Sequence, residues 1–309
     1  MVRMRCNAGA MLLVAAVCFA CLQGCETVSD LFSAPAQMAC GEALGQMRIG
    51  KYGDALACLD RAIRLNSRDD ASFYYRGICH VKLNQFDSAI KDFSQAIGLR
   101  KSRIADQGVA TLTPCLDYRS YCYIKLGEYD KARTDLEEAI SGSPSVFTYC
   151  LLCAALEGQS NFQRVLDIAS HGISIVKLRN DQRYLKAPLY EARALAYNRL
   201  GKYAQALTDC NQAIADANTQ DVAKSFEPFA LEVSDCYDPT LFRIFTTRAY
   251  ANLMLKRPDR AIADCEAAIR NTPTDAEAYY YRALAYEQIG KPDLAKKDKA
   301  RAKELGYKA

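Results

Sequence analysis

The sequence contains no tryptophan and only two histidines, His80 and His171. They lie far apart, and neither has a partner at ligand spacing, so no metal site or histidine base is readable. Net charge is only +4 and falls further without Arg3 and Arg5, so no basic stripe is present to follow a nucleic-acid backbone. A glycine-rich phosphate loop, a serine in a nucleophile elbow and paired cysteines at zinc spacing are all missing. Cys150 and Cys153 form a CxxC, but inside a helical pattern rather than the setting of a redox fold. No cofactor, no nucleic-acid partner and no enzymatic activity are expected, because no nucleophile, base and orienter come together.

The first long apolar run is Ala10 to Ala20, preceded by Arg3 and Arg5 and followed by "LQGC", Leu22 to Cys25. The run is too short for a comfortable membrane span and has signal-peptide flanks. A large aliphatic residue three places before a cysteine, with a small residue just before it, resembles the bacterial lipobox, although Gln23 departs from its usual small residue. The resemblance implies a signal peptide over 1–24 and lipidation at Cys25, the alternatives being a cleaved secretory signal or an uncleaved anchor. Three acyl chains on Cys25 would hold the chain to a bilayer, each buried methylene contributing about 0.8 kcal/mol. Residues 25–35 would then be a linker, keeping the folded part near the membrane in the cell envelope, facing the periplasm. Inner versus outer membrane stays open.

Beyond this, the chain repeats itself. The phrases "GKY", "NQF", "GEY", "SNF", "GKY", "RPD" and "KPD" set a register of about thirty-four residues. The copies are 36–69, 70–103, 113–145, 146–179, 187–220, 242–275 and 276–309, the first and fourth weaker than the others. Each holds two segments of helical period around a short turn. The second segment repeats a small–bulky–small pattern, as in Ala55, Leu59 and Ala62 or Ala89, Phe93 and Ala96, which lets two helices approach closely. Turn glycines stand at Gly50, Gly127, Gly201 and Gly290, and small residues in the first segment at Ala43, Gly77, Ser120, Ala194, Ala249 and Ala283. Extra residues precede the third and fifth copies, and the largest insertion, 221–241, is rich in apolar side chains. It is expected to cover its own local patch or else the groove.

These motifs resemble the tetratricopeptide repeat over residues 36–309. The resemblance implies an all-α, right-handed superhelical solenoid of about seven helix-turn-helix units. It also places a partner-binding groove on the first helices: Tyr74, Ile78 and Lys82; Asp117, Tyr121, Ile124 and Lys125; Glu191, Leu195 and Arg199; Tyr250 and Leu253; Tyr280, Leu284 and Glu287. Such a groove would suit an extended segment or helix of another envelope protein. The carboxylate clamp of chaperone-binding members is missing, because those positions carry Cys40, Leu44, Tyr74, Ile78, Asp117 and Tyr121.

Five copies carry an arginine followed sixteen residues later by an aspartate: Arg76 and Asp92, Arg119 and Asp135, Arg193 and Asp209, Arg248 and Asp264, Arg282 and Asp298. The first and fourth copies lack both, carrying Glu42 with Cys58 and Leu152 with Ile168. Residues equally far from the turn of a helix hairpin lie level, so each pair is expected to form a bidentate ion pair rather than a ligand-facing row. Ten cysteines follow Cys25, either buried or partly paired; Cys210 and Cys265 replace bulky core residues. The lysine-rich C-terminal segment is expected to be a solvated cap rather than a contact to anionic lipid or cell wall. The expected function is a membrane-anchored interaction scaffold, the alternative being a small-molecule or lipid-binding accessory of an envelope transporter.

Overall fold

A computed structural model describes residues 28–107, 111–175, 186–217 and 241–308. Cys25 and nearly all of the 221–241 insertion lie outside the described residues. Fourteen helices are described, two to each copy of the repeat, with no strand among the described residues. The pairs are α1 (Val28–Arg48) with α2 (Tyr52–Leu65), α3 (Asp70–Lys82) with α4 (Phe86–Gln107), α5 (Thr113–Lys125) with α6 (Tyr129–Ser141), and α7 (Val146–Gly158) with α8 (Phe162–Ile175). They continue as α9 (Ala187–Arg199) with α10 (Tyr203–Ala217), α11 (Leu241–Met254) with α12 (Pro258–Asn271), and α13 (Ala276–Gln288) with α14 (Pro292–Glu304). The chain divides into two compact units, Met1–Cys122 and Tyr123–Ala309, each treated by itself below.

Two boundaries differ from the sequence reading. The expected linker, 25–35, is helical from Val28, with Pro35 inside α1. Alanines on both sides, Ala34, Ala36 and Ala39, favour the helix enough to carry it through a proline. Part of the spacer before the third copy is likewise an extension of α4. Just before that extension, Arg100 and Arg103 hold the buried Asp70 at the start of α3, at 2.6 and 2.7 Å. The guanidinium of Arg100 also lies over the Tyr74 ring, 5.2 Å from its centroid.

The small–bulky–small pattern is the core. Ala55, Leu59 and Ala62, and Ala89, Phe93 and Ala96, are fully buried, as are Ala206, Cys210, Ala261, Cys265 and Ala268. Sizes compensate across each hairpin. The Phe93 ring lies where a Cβ on Gly77 would be, 2.7 Å from it, whereas the smaller Cys210 and Cys265 belong to copies with Ala194 and Ala249. Burial pushes the thiols of Cys210 and Cys265 up, so they act as small apolar side chains. The nine described cysteines are free thiols.

All seven turns use one backbone device. The second residue after the first helix takes a left-handed conformation, at Gly50, Gly127, Gly201 and Gly290, but also at Asn84, Ser160 and Lys256. At each, two amides turn back onto the helix end, as in Lys256 N–H to Leu253 O at 3.1 Å and Arg257 N–H to Asn252 O at 2.9 Å. That double closure is a Schellman motif and satisfies carbonyls the helix leaves open. A side chain with a Cβ costs about 1 kcal/mol in this conformation. Lys256→Gly is therefore expected to raise stability by about 1 kcal/mol, and Gly201→Ala to lower it by a similar amount. Thermal denaturation of the two variants checks both signs.

Candidate binding face and the links between copies

Four of the five arginine–aspartate pairs are bidentate. Arg76 donates from Nε and Nη2 to Asp92 at 2.9 and 2.6 Å, and Arg193 to Asp209 at 2.7 Å for both bonds. Arg282 donates to Asp298 at 2.7 and 2.9 Å, and Arg248 to Asp264 with a shortest bond of 2.6 Å. The fifth pair, Arg119 and Asp135, is divided between the two units. The aspartates are buried while the arginines stay partly exposed. Hydrogen bonding to the carboxylate holds Arg76, Arg193 and Arg282 above the ordinary arginine range, against the opposing effect of burial.

The third guanidinium nitrogen does a second job. Nη1 of Arg76 bonds Asp60 at 2.7 Å, Nη1 of Arg119 bonds Ser94 at 3.0 Å, Nη1 of Arg193 bonds Ser170 at 3.0 Å, and Nη1 of Arg248 bonds Asn211 at 2.9 Å. Each acceptor lies on the second helix of the preceding copy, at one repeated position. Each arginine of these copies thus reaches back across the copy boundary. An aromatic residue three places earlier, on the same helix face, underlies the cation: Phe73 beneath Arg76, Tyr190 beneath Arg193, Phe245 beneath Arg248 and Tyr279 beneath Arg282, at 5.4–5.6 Å.

The copies without the arginine solve the problem differently. In the first, polarity is reversed, with Glu42 on α1 accepting from Arg61 on α2. In the fourth, Leu152 is buried, and Arg164 on α8 instead reaches Glu137 of the preceding copy at 2.6 Å. Glu137 occupies the same repeated acceptor position as Asp60 and Ser94.

In the second unit the first helices α7, α9, α11 and α13 lie side by side and carry a polar, tyrosine-rich face. Tyr250 on α11 contacts Tyr203 at 6.2 Å and Tyr281 at 5.2 Å, and Tyr280 stacks on Tyr307 at 4.3 Å. Burial pushes the Tyr281 phenol up, so it remains a neutral donor. Leu195, Asn198 and Arg199 of α9 meet Tyr250 and Tyr281 around a cavity of about 40 Å³. Asn198 donates to Thr247 O at 2.8 Å, while its own carbonyl oxygen is buried without a hydrogen-bond partner. Arg199 is exposed and makes no hydrogen bond or ion pair among the described residues. Thr246 donates to Asp275 at 2.6 Å, and Asp275 also caps α13. Arg243 and Glu277 line the same cavity, and Arg243 is shared by two carboxylates, Glu191 at 3.3 Å and Glu157 at 3.7 Å.

Family profiles for the tetratricopeptide repeat match residues 40–104, 119–145, 187–215 and 265–297. A solved tetratricopeptide repeat protein from Parabacteroides merdae superposes with a TM-score of 0.61 at 15% identity, covering 89% of this chain and 94% of that one. The chain is a tetratricopeptide repeat protein. Among curated proteins it is 39% identical over 64 residues to a 58 kDa phosphoprotein of Plasmodium berghei, spanning 15% of that protein. It is also 47% identical over 53 residues to serine/threonine-protein phosphatase T of Trypanosoma brucei brucei, spanning 11% of it.

Within this repeat protein, three expected groove residues belong to the core. Tyr74 is 5% exposed because Phe93 and Tyr118 close over it, at ring distances of 6.1 and 5.8 Å. Ile78 is buried as well. Leu253 is packed with Ala261 and Ala285 under Met254 and Leu284. Asp117 is also buried, and Glu287 pairs with Lys299 at 2.6 Å. Lys82 stands over the Tyr52 ring, and Tyr121 lies edge-on to Phe86. Ile124 is half-buried and Lys125 exposed. Leu195, Arg199 and Tyr250 come together at the cavity, with Tyr280 and Leu284 on the neighbouring helix. The sequence reading missed Asn198, Arg243, Thr246, Tyr281 and Glu157. Their signal was available in the register, since they stand on first helices of adjacent copies.

Two measurements follow from these contacts. Arg193→Ala leaves Asp209 buried and unpaired, and is expected to cost about 3–5 kcal/mol. Asp209→Ala on that background should restore part of the loss, giving a non-additive double-mutant cycle; additive losses would refute the pairing. Glu157 supplies the second. Burial raises its carboxyl from 4.5 to about 7, more than Arg243 lowers it. The folded state therefore keeps the proton to higher pH than the unfolded chain does. Stability from this group is full below about pH 4.5 and falls as pH rises through about 7. Glu157→Gln removes the loss, so its unfolding free energy should match the wild type at low pH and exceed it above neutrality by on the order of 3 kcal/mol.

Proposed function

We propose that the protein works as a non-catalytic interaction scaffold, and that it binds a segment of another protein on the first-helix face of the second unit. One observation carries this reading. On the face built by Leu195, Tyr250 and Tyr281, a buried Asn198 oxygen is left without a partner, and the exposed Arg199 side chain makes no hydrogen bond or ion pair among the described residues. A peptide supplies both an N–H donor and a carbonyl or carboxylate acceptor, and tyrosines give it contact area at low entropic cost. The cavity of about 40 Å³ has room for roughly one water molecule, which favours a surface-laid segment over an enclosed lipid. No helix among the described residues is long and apolar enough to cross a membrane. The proposed attachment is lipid on Cys25, supported by the lipobox-like "LQGC" at Leu22 to Cys25, with the repeats facing the periplasm and an envelope protein as partner.

A photo-crosslinking residue placed at Leu195 or Tyr280 tests the face in cells. A discrete adduct is expected there and not from Lys297 on α14. Arg199→Glu, at an exposed position, should abolish the adduct without lowering the melting temperature. Equal labelling from both faces would refute the assignment.

A further inference from the structure

The layer of second helices carries a cleft of its own, about 330 Å³, between α10 and α12. Its deep side is formed by Arg248 and Asn252 of α11, its apolar sides by Leu207 and Ala263, and its exposed side by Arg257 and Arg260. The deep side is electrically complete. Asp264 accepts from Arg248 and, at 3.0 Å, from Asn252, while the remaining Arg248 nitrogen goes to Asn211. Arg257 and Arg260 are not complete. Both are exposed, and neither side chain makes a hydrogen bond or ion pair among the described residues. Asp259, between them in sequence, does not line the cleft. The two arginines occupy the N-cap and third positions of α12, whose first turn has no side-chain cap, so the amides of Asp259 and Arg260 lack helix partners. No other copy puts two cations at these two positions.

The geometry points to an oxyanion site that takes a phosphate monoester. Two unpaired guanidinium forks call for two negative charges on one group, and a tetrahedral dianion offers several oxygens to both. A phosphate fills only part of the cleft, and the rest, between Leu207 and Ala263, fits the carbon group of the ester. The site lies on the layer opposite the tyrosine face, so it does not rest on the interaction proposed above.

Calorimetric titration of the full chain with O-phospho-L-serine at about pH 7.5, where the ester is mostly a dianion, tests it. Saturable binding is expected, weakened about tenfold or more by Arg257→Ala and by Arg260→Ala, and unchanged in Lys297→Ala. Arg260→Lys keeps the charge but loses the fork, and should bind at an intermediate level. Both arginines are exposed, so matching thermal melts will show that the variants are folded. A short phosphoserine peptide run alongside separates the two sources of this chemistry. Tighter binding than the free amino acid assigns the site to a modified partner, and equal binding assigns it to a small phosphorylated metabolite. No saturable heat, binding retained in the Arg257→Ala/Arg260→Ala double variant, or equal binding of succinate would overturn the proposal.

Discussion

The repeated guanidinium is the interaction on which this fold is strung. Backbone hydrogen bonds close each helix on itself, and apolar side chains close each hairpin, but neither specifies which copy follows which. The arginine does both local and non-local work with one planar group. Nε and Nη2 hold the aspartate of its own hairpin, Nη1 reaches the previous hairpin, and an aromatic ring three residues back supports one face of the cation. Lysine could not substitute, since a single ammonium cannot present parallel donors in one direction and a third in another. The device is strict in its consequences. Its aspartates are buried, so losing the cation leaves an anion with nowhere to go.

What was legible in the sequence was whatever depended on fixed spacing. Helix period, turn position and the sixteen-residue interval from arginine to aspartate recur because each lies within one hairpin, whose length does not vary. The backward bond was invisible for the opposite reason. Its partners are 16, 25, 23 and 37 residues apart, because insertions between copies stretch the interval. Its acceptors also change chemistry among Asp60, Ser94, Ser170 and Asn211. The misplaced groove residues share that origin. Whether Tyr74 or Leu253 faces solvent is decided by the size of side chains on a neighbouring element, and Tyr118 and Leu284 happen to reach them. Tyr250 occupies the same repeated position as Ile78, yet it stays half-buried where Ile78 is enclosed.

Turn geometry is similarly blind to residue type at first sight. Ser160 and Lys256 adopt the backbone that glycine takes elsewhere, because the two returning amide bonds hold it there. The local preference is overridden by a closed hydrogen-bond ring, and a small stability cost is the trace it leaves. The two layers have meanwhile diverged in surface chemistry. First helices of the second unit present tyrosines with Arg199, Arg243 and Glu277, whereas α12 in the other layer opens with two arginines.

The backward bond also gives the array a direction. Every such link seen among the described residues starts in one copy and ends in the one before it. At the two extremes this breaks down. The first copy has Glu42 in the giver's place, turned inward to Arg61, and the last has Ala300 where Asp60, Ser94, Ser170 or Asn211 would receive. Two molecules meeting end to end would bring an anion against a methyl group, with no charge to bridge them. A giver position filled by a carboxylate and a receiver position filled by a methyl group cannot form the link with each other, so repeated parts of this kind do not by themselves make a filament.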